Sequence, residues 1–261
     1  MVDAFYVADG DVFVPTEWTR GPWSRDAQHG GPPAALLGRA LERAVGRDDV
    51  LAARVTFDIL KPIPLAPLSI DVRTVRGGRN VELVEARASA RDTDVMHARA
   101  WFVRRETVDA PPTHDDPPPG PRDGARVELF DTGTRVDYLR AMEWRFTSGA
   151  FLEPGPATAW VRMRHALVAG EPVSPLARVL VAADSASGVS SVLDFRAWLF
   201  VNPDLSVYAH RAAHGEWICL DAATTVGRDG VGIATSVIRD ERGSLGRGVQ
   251  SLFVAPRARR S

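Results

Sequence analysis

The sequence predicts an α+β fold in two similar halves, each an antiparallel sheet wrapped around one central helix. Two observations support this prediction. A helical segment of small residues followed by a long meander of strands occurs twice along the 261 residues. The strands alternate apolar and polar residues, which is typical of a sheet with one packed face and one solvated face. A sheet that wraps around a buried helix buries the apolar surface of both elements.

The helical segments are PPAALLGRALERAV at 32–45 and PLARVLVAADSASGVSSVLD at 175–194. The first is apolar on nearly all sides, and a helix of that kind is buried. A hairpin is predicted before each helix, at 5–15 in the first half and at about 146–165 in the second. These segments predict one central helix in each half.

The strands after each helix follow the same plan. Each meander has a strand, a basic residue at a break (Lys61 or Arg211) and then three further strands. In the first meander, the stretch LSIDVRTVRGG places Leu68, Ile70 and Val72 on one face of a strand, because successive side chains point to opposite faces. The repeated order indicates a duplicated module.

A proline-rich stretch, ETVDAPPTHDDPPPGPRDG at 106–124, separates the two modules. Its six prolines cannot sustain a helix or a central strand, so it is interpreted as an extended surface linker. The predicted organisation is therefore an N-terminal module at 1–105, the linker at 106–124 and a C-terminal module at 125–261.

Composition narrows the class of protein. The net charge is −1 and the pI is about 6.6, which does not favour nucleic acid or an anionic membrane as a partner. The single cysteine, Cys219, lies in an apolar stretch, and no Cys/His cluster has the spacing of a metal site. We see no secretory signal and no apolar run long enough to span a membrane, so the cytoplasm is the expected location.

The repeated helix-and-meander pattern resembles the double (tandem) hotdog fold. It resembles most closely the acyl-CoA thioesterase II-like (TesB-like) family of tandem hotdog thioesterases. The residues that carry the resemblance lie, in this order, at 29–41, 60–72, 181–187, 200–211, 215–225 and 248–254. The resemblance implies hydrolysis of a medium- or long-chain acyl-CoA to free acid and CoA, with no cofactor and no metal. Because hotdog sheets commonly pair through their edges, a homo-oligomer is also expected.

Asp184 is the first candidate catalytic residue. Thioester hydrolysis needs a positioned water and a group that takes its proton, and the family places its catalytic aspartate at the matching position. A carboxylate among small apolar residues is costly unless it is hydrogen-bonded or functional. The alternative is a structural helix cap, since serines follow it. The aligned position in the first half is near Pro32, so the sequence predicts an acid in only one half.

Asn202 and Gln250 are the predicted partners of this aspartate. The family has a threonine or serine at the position of Asn202 to hold the water, and an amide can also donate to and accept from water. Gln250 corresponds to a family glutamine that helps to orient the water. Asn202 before a proline is equally typical of a turn, and Gln250 could instead face outward on an edge strand.

The turn His29-Gly30-Gly31 precedes the first helix. Glycines allow close approach of a carbonyl, and a helix N-terminus presents free N–H groups, so the turn is a candidate oxyanion site. Pro32 and Pro33 remove two donors, which leaves the N–H of Gly31 and of Gly30, with His29 as a further side-chain donor. The alternative is a tight entry turn with proline in the first helical positions. The segment 134–146 is predicted either to cover the acyl site or to pack in the core.

Two other functions stay open at this stage. A non-catalytic acyl-CoA or fatty-acyl binding protein of the same fold is favoured by the asparagine at 202. An enoyl-CoA hydratase is a second alternative, although those enzymes usually carry an aspartate and a histidine on one loop-helix motif, which is absent from this sequence.

Overall fold

The computed structural model of the chain describes residues 3–109, 120–121, 123–127 and 136–257. Within these residues the α-helices are α1 (Gly31–Val45), α2 (Asp137–Ala141), α3 (Pro175–Ala183) and α4 (Ala186–Val189). The strands are β1 (Ala4–Asp9), β2 (Val12–Pro15), β3 (Val50–Ile59), β4 (Leu68–Arg76), β5 (Val81–Ala90), β6 (Thr93–Arg104), β7 (Ala125–Arg126), β8 (Met142–Ala150), β9 (Glu153–Met163), β10 (Ala166–Val168), β11 (Trp198–Val201), β12 (Asp204–Ala209), β13 (Ile218–Val226), β14 (Val231–Asp240) and β15 (Gly243–Pro256).

All of these strands belong to one sheet. Its order is β10-β1-β2-β4-β5-β6-β3-β12-β15-β14-β13-β9-β8-β7, with β11 also paired to β15. The two modules join where β3 pairs antiparallel with β12, in the register Thr56 to Ser206, and where β1 pairs in parallel with β10. The two modules therefore share one hydrogen-bonded sheet.

Helices α1 and α3 pack side by side in antiparallel directions within the curve of this sheet. Small residues allow their close approach: a Cβ added to Gly38 would lie 2.3 Å from Leu180 Cδ1. The first eight residues of α1 are buried, as the apolar sequence predicts. The packing brings the N-terminus of α1 beside the C-terminal end of α3.

The second predicted helix, at 175–194, is broken in the structure. Helix α3 ends at Ala183, and the single turn α4 follows after Asp184 and Ser185. At the break, the carbonyl oxygen of Asp184 accepts a hydrogen bond from Gln250 Nε2 at 3.1 Å. The Gln250 side chain thus replaces the backbone N–H that would donate to this carbonyl in a continuous helix. A tertiary contact therefore ends the helix.

Most of the predicted linker at 106–124 lies outside the described residues. Strand β6 ends at Arg104 and β7 begins at Ala125, and the module boundaries stay a prediction. Within the described ranges, no helix is long and apolar enough to cross a lipid bilayer.

Candidate active site

Asp184 lies between α3 and α4, and its side chain is 5% exposed. One carboxylate oxygen, Oδ1, accepts hydrogen bonds from Asn202 Nδ2 at 2.8 Å and from Gln250 Nε2 at 3.2 Å. The structure thus brings together three residues that are far apart in sequence. These two amides supply the hydrogen bonds that a buried carboxylate requires.

Gln250, on β15, is fully buried. Its Nε2 donates to both the carbonyl and the carboxylate of Asp184, and its Oε1 accepts from Ser187 N at 3.3 Å. Both amide hydrogens are therefore directed to Asp184. Gln250 fixes the carboxylate and has no hydrogen left for a water molecule.

Asn202 occupies the short interruption between β11 and β12. Its Nδ2 donates to Asp184 Oδ1 and to the carbonyl oxygen of Asp204, at 2.8 and 3.2 Å. Among the described residues no donor contacts Asn202 Oδ1, and the residue lines a cavity described below. Asn202 therefore offers an acceptor beside the carboxylate, where a water could bind.

The glycine turn lies directly against Asp184. A Cβ at Gly30 would lie 2.7 Å from Asp184 Oδ2, so only glycine leaves room for the carboxylate here. The N-terminus of α1 also places its positive dipole end next to this negative charge. Gly30 lines the cavity, and within the described part of the chain no acceptor contacts its N–H.

Gly31 is placed differently from the prediction. Its N–H donates to His29 Nδ1 at 3.1 Å, and a Cβ at Gly31 would lie 2.4 Å from the carbonyl oxygen of Val181. The Gly31 N–H is thus already bonded. In this arrangement Gly30 is the better placed of the two predicted backbone donors.

His29 lies between Asp184 and a tyrosine that the sequence analysis did not select. Its Nδ1 is 3.1 Å from Asp184 Oδ2, and its ring stacks on Tyr138 with centroids 3.8 Å apart and planes 9° apart. Burial lowers the pKa of His29 from its ordinary value, and the nearby Asp184 charge opposes part of this shift. The imidazole is therefore neutral at neutral pH.

Tyr138 belongs to α2, within the segment 134–146 that was predicted to cover the site or pack in the core. Its hydroxyl donates to the carbonyl of Val181 at 2.7 Å and lies 2.9 Å from Ser185 Oγ. Burial raises the pKa of Tyr138 far above its ordinary value, so the hydroxyl stays protonated. The only sequence signal for this residue was the aromatic character of that segment.

A cavity of about 370 Å³ opens beside these groups. Asp184, Asn202, His29 and Gly30 all contribute to its wall. The remaining lining is mostly apolar and includes Trp23, Ile63, Leu139, Phe151, Phe195 and Phe200. An apolar cavity with a few polar groups is typical of a small-molecule site, and its volume lies in the usual range.

The opposite ends of the two helices form a related arrangement. Ser174, the N-cap of α3, donates its hydroxyl to Glu42 Oε2 of α1 at 2.6 Å. A carboxylate of one helix thus meets the N-cap of the other at both ends. The sequence placed the first-half counterpart of Asp184 near Pro32. In the structure Pro32 lies at the N-terminal end of α1, and the carboxylate of α1 that meets the N-cap of α3 is that of Glu42. The carboxylate at this second end is bonded to a serine side chain.

Catalysis by a cysteine nucleophile or by a metal ion has little support in the described residues. Burial raises the pKa of Cys219 to about 12, with Asp221 adding to the shift, so the thiol stays protonated and is a poor nucleophile. In the described ranges no group of three His, Cys, Asp or Glu residues could hold a metal ion.

The fold and site define a class of protein. The sheet wraps around two central helices, one in each half, which is the tandem hotdog fold. The family comparison agrees: the acyl-CoA thioesterase N-terminal domain model matches residues 19–103, and the acyl-CoA thioesterase C-terminal domain model matches residues 108–254. The chain belongs to the acyl-CoA thioesterase family.

Solved structures superimpose on this fold, so the predicted tandem hotdog class is confirmed. A hot dog fold protein of unknown function from Alicyclobacillus acidocaldarius is 19% identical, with 98% of this chain and 97% of that chain covered and a TM-score of 0.72. The tesB protein of Mycobacterium avium subspecies paratuberculosis is 19% identical over 96% of both chains, with a TM-score of 0.69. The acyl-CoA thioesterase II of Mycobacterium marinum is 13% identical over 97% and 95%, with a TM-score of 0.67. No curated protein matches the chain.

Proposed function

We propose that the protein hydrolyses medium- or long-chain acyl-CoA with Asp184 as the general base that activates a water. The observation that carries the proposal is the buried carboxylate of Asp184. Two amides hold its Oδ1, and its Oδ2 lies against the glycine turn beside an apolar cavity. General-base catalysis requires such a group within hydrogen-bond reach of the water whose proton it abstracts.

The water binds between Asn202 Oδ1 and the Asp184 carboxylate. Asp184 takes its proton as the oxygen attacks the thioester carbon, and Gln250 keeps the carboxylate in place throughout. The carbonyl oxygen of the substrate accepts the N–H of Gly30, which stabilises the tetrahedral oxyanion. His29 lies next to the same turn and adds a further polar side chain near the oxyanion. The N–H of Gly31 serves the oxyanion only when its bond to His29 opens.

The acyl chain lies in the apolar cavity. The aromatic side chains of Trp23, Phe195 and Phe200 pack on one another there, with Phe195 and Phe200 centroids 4.7 Å apart. Each buried methylene of the chain contributes about 0.8 kcal/mol of transfer free energy, which favours acyl groups of several carbons over acetyl.

Thiol release from a panel of acyl-CoAs, from acetyl to palmitoyl, tests this function. We expect the wild type to turn over the longer substrates, and Asp184→Asn to lower kcat by about 10³-fold, within the range for general-base catalysis. The matched control is Asp94→Asn, because Asp94 also pairs with a histidine, His97, at 3.0 Å but on the exposed face of the sheet. Equal rates for wild type and Asp184→Asn would contradict the assignment of the base.

Two further assays, acyl-CoA binding and crotonyl-CoA hydration, distinguish the two alternative functions. Saturable binding of acyl-CoA with no thiol release would indicate a non-catalytic binding protein. Asn202 favours this alternative, because the family has a hydroxyl residue at that position. Hydration of crotonyl-CoA without thiol release would indicate a hydratase. The cytoplasmic location, the homo-oligomer and the module boundaries stay predictions from sequence.

A further inference from the structure

His29 Nδ1 has two neighbours that make opposite demands on it. The Gly31 N–H donates to it at 3.1 Å, and Asp184 Oδ2, an acceptor, lies at the same 3.1 Å. A ring nitrogen offers either one lone pair or one N–H in the plane of the ring. Nδ1 therefore satisfies only one of these neighbours at a time.

The two possibilities are linked to the proton on Asp184. When Nδ1 is bare, it accepts the Gly31 N–H, and Asp184 Oδ2 faces a lone pair unless Oδ2 carries a proton. When Nδ1 carries a proton, it donates to Oδ2, and the Gly31 N–H becomes free. A proton that arrives on Asp184 consequently has an acceptor in His29, 3.1 Å away.

The second ring nitrogen, Nε2, is free to act on a ligand. Across the described residues no partner contacts Nε2, and His29 lines the acyl cavity. Tyr138 fixes the plane of the ring by stacking, and the bond from its hydroxyl to Val181 holds the tyrosine against α3. The imidazole thus connects the carboxylate on one side with the cavity on the other.

We propose that His29 is a second catalytic residue, which gives the departing CoA sulfur the proton that Asp184 takes from water. The inference rests on the proposed function of Asp184. In the resting state Nδ1 accepts the Gly31 N–H, and the neutral ring carries its proton on Nε2.

The proton balance is complete without any further reactant. Water loses a proton to Asp184 as its oxygen bonds to the thioester carbon. The C–S bond then breaks, and the sulfur takes the proton of His29 Nε2 while Asp184 passes its own proton to Nδ1. Asp184 returns to the carboxylate, His29 becomes the Nδ1–H tautomer, and the products are the free acid and the CoA thiol. Exchange with solvent restores the first tautomer.

The same step releases the Gly31 N–H. Once Nδ1 carries a proton, it donates to Asp184 and no longer accepts from Gly31, so the Gly31 N–H becomes free only as the oxyanion collapses. Burial keeps the pKa of His29 below its ordinary value, which favours the neutral ring that the relay needs.

Changing the leaving group of the substrate distinguishes proton donation by His29 from a purely structural role of this residue. The alkyl thiol of CoA is a weak acid, as is a cysteine thiol with its pKa of about 8.5, so the CoA thiolate leaves better when a proton donor is within reach. A 4-nitrothiophenol leaving group is far more acidic and needs no donor. We compare octanoyl-CoA with the octanoyl thioester of 4-nitrothiophenol, each hydrolysed by wild type and by His29→Asn. The asparagine oxygen can still accept the Gly31 N–H but cannot relay a proton.

We expect His29→Asn to lower kcat on octanoyl-CoA by about 100-fold and to leave kcat on the aryl thioester within about fivefold of wild type. Equal losses on both substrates, or no loss on either, would overturn the proposal. Because each ratio is taken between enzymes on one substrate, differences in binding between the two thioesters cancel. If His29→Asn does not show a cooperative thermal melt, His29→Gln is measured by the same criterion.

Two control variants make the result specific. Asp184→Asn should lose activity on both thioesters, because both need the water to be deprotonated. If Asp184→Asn is inactive while His29→Asn is fully active, the proposed function stands and the relay fails. If Asp184→Asn is fully active, the proposed function itself fails. His97→Asn, which alters the exposed histidine paired with Asp94, should change neither rate.

Discussion

Replacing Gly30 with alanine tests whether the carboxylate of Asp184 must stay where it lies. The backbone of Gly30, with φ −67° and ψ −23°, suits alanine, so the main chain does not resist the change. The new Cβ would lie 2.7 Å from Asp184 Oδ2 and 3.1 Å from its Cγ. The carboxylate therefore has to move, while the N–H of residue 30 is kept.

The size of the effect follows from the size of the displacement. Ordinary contact with a Cβ begins at 3.4 Å, so Oδ2 must retreat by about 0.7 Å. This movement is resisted by the hydrogen bonds that Asn202 and Gln250 donate to Oδ1 of the same carboxylate. A misplacement of about 1 Å at a reacting group costs roughly 100-fold in rate. We expect kcat/KM to fall roughly 30- to 100-fold, or about 2 to 2.7 kcal/mol of transition-state stabilisation.

Thiol release and thermal melting together decide the outcome. Stability should change by less than about 1 kcal/mol, because alanine reduces the entropy of the unfolded chain and offsets part of the contact. Gly77→Ala is the matched control, since a Cβ at Gly77 meets nothing within 4 Å. A Gly30→Ala protein with wild-type kcat/KM would refute the argument that catalysis depends on this carboxylate position.

Three further predictions concern stability. Burial would raise the pKa of Asp240, but two hydrogen bonds from Arg211 and two from backbone N–H groups outweigh it and hold the pKa below its ordinary value. Asp240 therefore stabilises the fold above about pH 4, and this contribution disappears as the pH falls through the lowered pKa. Asp240→Asn should cost about 3 kcal/mol at pH 7 in urea titrations, and this cost should shrink progressively as the pH falls through the lowered pKa; a cost that does not change with pH would contradict the assignment. Asp92→Gly should stabilise by about 1 kcal/mol, because Asp92 has a φ of 58° in a two-residue hairpin turn, and an unchanged melting temperature would count against strain there. Gly38→Val should destabilise by about 2 kcal/mol or more, because its Cβ would lie 2.3 Å from Leu180 Cδ1, and a wild-type urea midpoint would show that the helices can separate freely.

The elements of the fold could be predicted because their signals are local. The stretch LSIDVRTVR alternates along its length and forms β4 at Leu68–Arg76, and the apolar segment at 32–45 forms most of α1. The pairing of β3 with β12 had no such signal, because the edge of one module meets the edge of the other only after both have folded. The end of α3 at Ala183 was not predicted either. The residue that bonds the carbonyl at this helix end, Gln250, lies on a strand more than 60 residues further along the chain.

The candidate site was predicted only in part, for a related reason. Asp184, Asn202 and Gln250 lie close together, but their contacts differ. Gln250 donates both amide hydrogens to Asp184, whereas no donor among the described residues contacts the Asn202 side-chain oxygen. The stacking of Tyr138 on His29 joins α2 to the turn before α1, and no periodicity along the chain encodes such a contact. Sequence spacing could name the residues but not their contacts.

The Ser174–Glu42 contact shows what fusion of two modules makes possible. Two separate identical subunits related by a dyad would present the same chemistry at both ends of their helix pair, and every mutation would appear twice. In a single fused polypeptide, one end can drift into a purely architectural role while the other keeps its reactivity. Asymmetry of this kind allows each half of the gene to diverge under its own selection.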